Sequence, residues 1–113
     1  MAYKRVILEL GTGNDLHGGD YTKAAVRAVE DAIHHSSLTM IRTLAVDPKT
    51  VKVDATIGVQ APDRVDGDTV KAALPVGTVS VTVVKGGLDV ADEEIGDVAV
   101  IASAAVAVSL DLP

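Results

Sequence analysis

Apolar and polar residues alternate most regularly over 51–59. Val51, Val53, Ala55, Ile57 and Val59 share one side, and Lys52, Asp54 and Thr56 take the other. A period of two is that of a strand with one buried face. "TVSVTVVKGG" (78–87) predicts a further strand, broken or bulged at Gly86 and Gly87. "YKRVILEL" (3–10) alternates in part, with Val6, Leu8 and Leu10 on one side and Arg5, Ile7 and Glu9 on the other, and predicts a first strand. Over 21–37 the period changes. Ala25, Val29, Ala32 and Ile33 recur at helical spacing, Asp20 is a good N-cap, and Ser36 and Ser37 suit a frayed end. "DTVKAALP" (68–75) predicts a short helix that buries Val70, Ala73 and Leu74 and stops at Pro75. Residues 38–45 fit either a short helix or a strand, 47–49 are a turn, 60–68 a loop, and 88–97 an acidic exposed segment.

The run from 98 to 112 is apolar or small on both faces and carries no charge from 98 to 110. Its alanine content allows a buried helix, but its Val and Ile density favours a strand. With alternation lost, neither face of such a strand meets solvent, so it is central or its second face meets another subunit. The order is then β-α-β-α-β-β: one domain over 1–113, an α+β fold with a four-stranded mixed sheet and two helices on one face. The second face would carry Ile7, Val84 and the small residues of the last strand. A homo-oligomer whose sheets pack together covers it most simply.

Composition sharpens this. The 113 residues are 48% hydrophobic but only 2% aromatic, with two Tyr, no Phe and no Trp. A core of Val, Ala, Leu and Ile buries little area per residue, at about 25 cal/mol per Å², and association is one way to make up the shortfall. A net charge of −6 and the lack of aromatic platforms argue against nucleic acid. The chain has no cysteine, which excludes disulfides and thiol chemistry. No apolar run approaches the roughly 20 residues of a membrane span, and Lys4 and Arg5 precede too few apolar residues for a signal peptide. A cytoplasmic protein is expected.

Candidate chemistry concentrates in "GTGNDLHGGD" (11–20). A dinucleotide fingerprint would need glycine where Leu16 stands, and a P-loop would need its lysine well before Lys23. What remains is a glycine-rich loop ahead of a helix, whose N–H groups and dipole favour a small anion. Gly11, Gly13 and Gly18 would shape that site, with Lys23 and Arg27 adding charge and Lys85, at a strand end beside bare backbone, reaching a ligand. The same glycines would equally serve a tight crossover. Asp15 and His17, two apart in extended backbone, could face one divalent cation, with Glu9 as a third ligand. His34 and His35 lie ~20 Å from the helix start at 1.5 Å per residue, out of reach within one chain. As an acid–base pair, His17 could be oriented by Asp15 or Asp20. Asp15 otherwise reads as an Asx-turn residue and His17 as bonded to the loop.

"ELGTGNDLHGGDYTKAAVRAVEDAI", with "VKVDATIGVQAPDRVD" and "TVVKGGL", resembles the Listeria "Lin"-type family of conserved hypothetical proteins. Its motif Gly-x-Gly-x-Asp-x-His-Gly falls on Gly11, Gly13, Asp15, His17 and Gly18 without departure. The resemblance covers nearly the whole chain and carries no established activity. The element order is also similar to the Bacillus-chorismate-mutase-like fold, which implies trimers or larger rings with ligands bound between subunits. Methylerythritol cyclodiphosphate synthase, similar by fold, carries a like loop whose Asp and His bind a divalent metal. That implies such a role for Asp15 and His17, although the synthase's third histidine lies further along its chain and is not matched to a position in this one. Ring-opening amidohydrolases share the fold type, but their Ser–Lys pairs do not map onto this chain, and fold alone does not carry function.

Two expectations follow. In one, a homo-oligomer binds a small anionic ligand or a metal at 11–20 near a subunit interface, with Asp15 and His17 available for catalysis. In the other, the chain is a non-enzymatic structural or regulatory module whose loop makes subunit contacts.

Overall fold

A computed structural model of the chain describes residues 2–34, 47–74 and 77–112. The segment 38–45, whose pattern fits helix or strand, lies outside the described residues, as do His35, Ser36, Ser37 and Pro75. The described elements are β1 (Ala2–Asp15), α1 (Tyr21–His34), β2 (Val51–Val59), α2 (Gly67–Ala72), β3 (Thr78–Lys85), β4 (Leu88–Asp92) and β5 (Asp97–Leu112). The fold is α+β. Its mixed sheet runs β1-β5-β2-β3, with β4 also paired to β5. β5 is antiparallel to β1, β2 and β4, while β2 and β3 are parallel and joined through α2. No described helix is long and apolar enough to cross a membrane.

The sheet has five strands, not the expected four. β4 arises from the acidic segment, and all five of its residues are exposed, so no alternation marked it. It forms a hairpin with the start of β5, beside the stretch of β5 that β2 leaves unpaired. Gly86 and Gly87 carry the chain there across the end of β2, held by the Gln60 side-chain amide, which donates to both their carbonyls at 3.0 and 3.2 Å. The long β5 is indeed central, lying between β1 on one side and β2 with β4 on the other.

One sheet face carries the core. Val51, Val53, Ala55, Ile57 and Val59 of β2 and Val100, Ala102, Ala104, Val106, Val108 and Leu110 of β5 are buried against Ala24, Ala25, Ala28, Val29 and Ala32 of α1. Ile7 belongs to this core and not to the opposite face, where alternation put it. The pairing of β1 with β5 slips between Arg5 and Ile7, a bulge that inserts Val6 and reverses the parity of what precedes it. Beyond the bulge the alternation is unbroken, so Leu8 and Leu10, opposite in side to Ile7, face the open side, 47% and 67% exposed.

β1 also runs five residues beyond its expected end, through Gly11, Thr12, Gly13, Asn14 and Asp15. Gly11 and Gly13 are therefore strand residues, and α1 lies directly on them. A Cβ at Gly11 would stand 2.3 Å from the Ala28 carbonyl oxygen and 2.4 Å from the Ala32 nitrogen. At Gly13 it would stand 2.2 Å from the Ala28 nitrogen. Bare glycine on the strand and alanine on the helix let the two backbones approach closely.

Candidate functional site around His17 and Asp97

The loop proper is residues 16–20. Asp15, at the end of β1, is 5% exposed and turned inward. Its Oδ2 accepts the Asp20 N–H at 2.9 Å, and its Oδ1 lies 3.8 Å from Arg27 Nη1. Asp20 caps α1 as expected, accepting the Lys23 N–H at 3.0 Å. The helix terminus thus already holds two of the protein's own carboxylates, where an external anion was expected. Arg27 is committed as well: Nη1 donates to the Asn14 carbonyl at 2.7 Å. With Asp31, whose carboxylate accepts the Thr12 N–H at 2.9 Å, it covers part of the β1 edge away from β5. Lys23 is exposed on the first turn of α1. Lys85 ends β3, three strand spacings from β1, or about 14 Å, too far to act at the loop.

His17 goes the other way. Its side chain is 80% exposed, and Nδ1 lies 3.0 Å from Asp97 Oδ2. The pair expected to face one cation is separated, since the chain leaves extended geometry after Asp15 and their side chains find different partners. Glu9 is six residues back along β1, about 20 Å away at the strand rise. Among the described residues no group of three His, Cys, Asp or Glu side chains could hold a metal ion, so Glu9, Asp15 and His17 do not converge. Gly18, at φ +93°, sits where a side chain would be strained.

Asp97, which the sequence pattern does not single out, organises this corner. Its Oδ1 accepts the Gly18 N–H at 3.0 Å and the Val98 N–H at 2.8 Å, while Oδ2 meets His17. These bonds favour the carboxylate and hold its pKa below the usual Asp range, the Gly18 and Val98 amides first and the His17 ring after them. The only cue was a Gly-Asp pair, Gly96-Asp97, opening an apolar run. That marks a hairpin corner but not a partner lying 80 residues from His17.

Bonding at Nδ1 leaves Nε2 of His17 pointing outward, the arrangement by which a carboxylate orients an imidazole for proton transfer or ligand binding. Beside it lies a depression of ≈ 650 Å³ walled by Leu16, Val90 and Ile95 and rimmed by Asp92, Glu93 and Glu94. Tyr21, at the start of α1, fixes the β4 side of this corner. It is buried, and its hydroxyl donates a short bond to the Asp89 carboxylate. That bond chiefly, then burial and the Asp89 charge, raises the Tyr21 pKa, while Arg64, stacked 4.9 Å over the ring, acts to lower it.

Fold and site together define a small α+β protein: a mixed sheet covered by helices on one side, with an imidazole–carboxylate pair at its β4 end. The chain belongs to the Lin0512 family of conserved hypothetical proteins, whose model matches residues 5–108. A solved structure, described as an FtsZ-like protein of unknown function from Nostoc punctiforme PCC 73102, is 38% identical, with a TM-score of 0.85 over 99% of each chain. No curated protein matches the chain.

Proposed function

We propose that this is a small-molecule-binding protein whose site is the depression beside His17 and Asp97. One observation carries the reading. An exposed imidazole is oriented through Nδ1 by a carboxylate that two backbone amides also hold, and it borders a depression with apolar walls. The acidic rim favours a ligand with an apolar body and a cationic or hydrogen-bond-donating group over the anion suggested by the helix terminus. A bound ligand with a transferable proton would meet His17 as its acid or base.

Fragment binding followed by amide and imidazole NMR shifts tests this, using small aromatic and aliphatic amines. Shifts clustering on Leu16, His17, Val90 and Ile95 are expected, weakened about tenfold in affinity in His17→Ala. Shifts elsewhere, or binding unaltered in His17→Ala, would refute it. A second reading, a structural module without a ligand, draws support from a specific observation. Gly11, Gly13 and Asp15, three of the motif residues, each have an internal packing or bonding role. A fragment set that shifts nothing at this corner would favour that reading.

A further inference from the structure

Three strands have a side that no described strand pairs: β1 and β4 away from β5, and β3 away from β2. Such an edge is a row of backbone donors and acceptors open to another chain. Charge, brevity, bulges or covering side chains normally blunt it. β1 is blunted by Lys4, Arg5 and Glu9, by the slip at Val6, and by Asp31 and Arg27, which take up the Thr12 N–H and the Asn14 carbonyl. β4 is only five residues long and carries Asp89 and Asp92. β3 has none of these devices. Thr78 to Val84 carries no charge, no proline and no glycine, and Val79, Val81 and Val83 are only partly buried against the core.

The hydrogen-bond phase fixes what this edge offers. In a strand a residue's N–H and C=O point to the same side, and successive residues alternate sides. The Gly86 N–H donates to the Val59 carbonyl at 2.9 Å, towards β2. Counting back in twos, Val84, Thr82, Ser80 and Thr78 face β2, and Val83, Val81 and Val79 face outward. Among the described residues nothing bonds to the outward N–H and C=O groups of those three valines.

We infer that a second copy of this chain pairs with this edge, β3 against β3 and antiparallel, about a two-fold axis through Val81 perpendicular to the sheet. What selects a second copy is that the segment "TVSVTVV" complements itself about Val81. Reading outward from that residue, Ser80 matches Thr82, Val79 matches Val83, and Thr78 matches Val84. An isologous contact needs this symmetry, because each residue meets the image of its match. The bonding phase agrees. Val81 faces Val81 of the second copy, and Val79 and Val83 face each other in both directions. Each facing pair exchanges two N–H···O=C bonds, so every outward group of the three valines is satisfied. On the core side the valines continue one apolar stripe from copy to copy. On the open side the exposed Ser80 and Thr82 hydroxyls meet across the junction, a favourable cross-strand pair. Moving the axis to Thr82 would set Lys85 over Val79 and Ser80 over Val84, and loses this matching.

The two sheets thereby become one continuous sheet with α1 of both copies on the same side. The assembly is a dimer, in place of the trimer or larger ring that the fold resemblance implies, and it needs no ligand at the His17–Asp97 corner. Seven residues a side make a small interface, at the weak end of specific association.

Sedimentation equilibrium of the 113-residue chain without ligand therefore tests it at about 500 μM, well above a dissociation constant of about 10 μM. The mass should be twice 11.6 kDa. Ser80→Lys with Thr82→Lys sets lysine opposite lysine in both pairs, and should weaken the dimer at least tenfold with unaltered far-UV circular dichroism, since both positions are exposed. Ser80→Lys with Thr82→Glu sets opposite charges in the same pairs, and should bind at least tenfold more tightly than the double lysine variant. The chain has no cysteine, so register can be read by cross-linking. Ser80→Cys with Thr82→Cys places thiols in non-hydrogen-bonded pairs, with Cα atoms about 4.5 Å apart, and should oxidise to a covalent dimer. Ser80→Cys alone leaves its copies about 8 Å apart and should not. A wild-type mass other than twice the protomer's would overturn the inference. So would a double lysine variant that associates like the parent, a lysine–glutamate variant no tighter than the double lysine one, or cross-linking no faster in the double cysteine variant than in the single.

Discussion

Replacing Gly13 by alanine separates packing from ligand chemistry in the glycine motif. A Cβ there would stand 2.2 Å from the Ala28 nitrogen, 2.4 Å from the Ala24 carbonyl oxygen and 2.6 Å from the Arg27 carbonyl carbon. Each falls short of van der Waals contact, about 3.5 Å, by roughly 1 Å. The obstructing atoms are helix backbone, so no rotamer change relieves the overlap. Either α1 lifts from β1, opening contacts around Ala24, Ala28 and Ala32, all fully buried, or the strand bends. Overpacking costs about 1–3 kcal/mol where side chains can adjust, and backbone obstruction places Gly13→Ala at the upper end, about 3 kcal/mol. For a chain of this length that lowers the Tm by about 12 °C. Urea and thermal unfolding followed by circular dichroism would measure it, with Gly67→Ala as the control. Gly67 opens α2, and nothing lies within 4 Å of the added Cβ, so that variant should stay within about 0.5 kcal/mol of the parent. If Gly13→Ala unfolds like Gly67→Ala, the close-approach argument fails and a ligand role for the glycine regains its footing.

Two further outcomes are expected. Asp15→Ala strips the Asp20 N–H and Arg27 of a buried acceptor and should cost about 1–3 kcal/mol in urea unfolding; a cost near zero would show that the contact is not stabilising. Because the folded pKa of Asp97 is depressed, its share of stability is present above the ordinary carboxylate range near pH 4 and is lost as the pH falls through the folded value. Asp97→Asn should therefore flatten the fall in stability as the pH drops below the ordinary carboxylate range, and a variant that keeps the parent's slope would remove Asp97 from that account.

The chain's own pattern determined those elements that carry one apolar side and one polar side. β2 was legible to the residue, since alternation over 51–59 needs a neighbour on one face only. α1 was legible in its small-residue stripe and its Asp20 cap, and β3 in its valines. The family motif was legible too, but not its meaning. Glycine has no side chain to show a period, so Gly11 and Gly13 resembled a loop, although they continue β1 under α1. The bulge at Val6 left no local mark, because only pairing with β5 reveals a register slip, and only the docking of α1 on Gly11 and Gly13 decided that the Ile7 side, not the Leu8–Leu10 side, joins the core. β4 was invisible for the opposite reason, as a strand exposed on both faces has no buried side to repeat. Tertiary structure alone decided the partner of His17. Asp97 meets it because the β4–β5 hairpin folds back beside the loop, a contact made across the whole domain and written in no local spacing. Sequence fixes what each short segment can bury, whereas hydrogen-bond pairing between distant strands decides which polar side chains end up together.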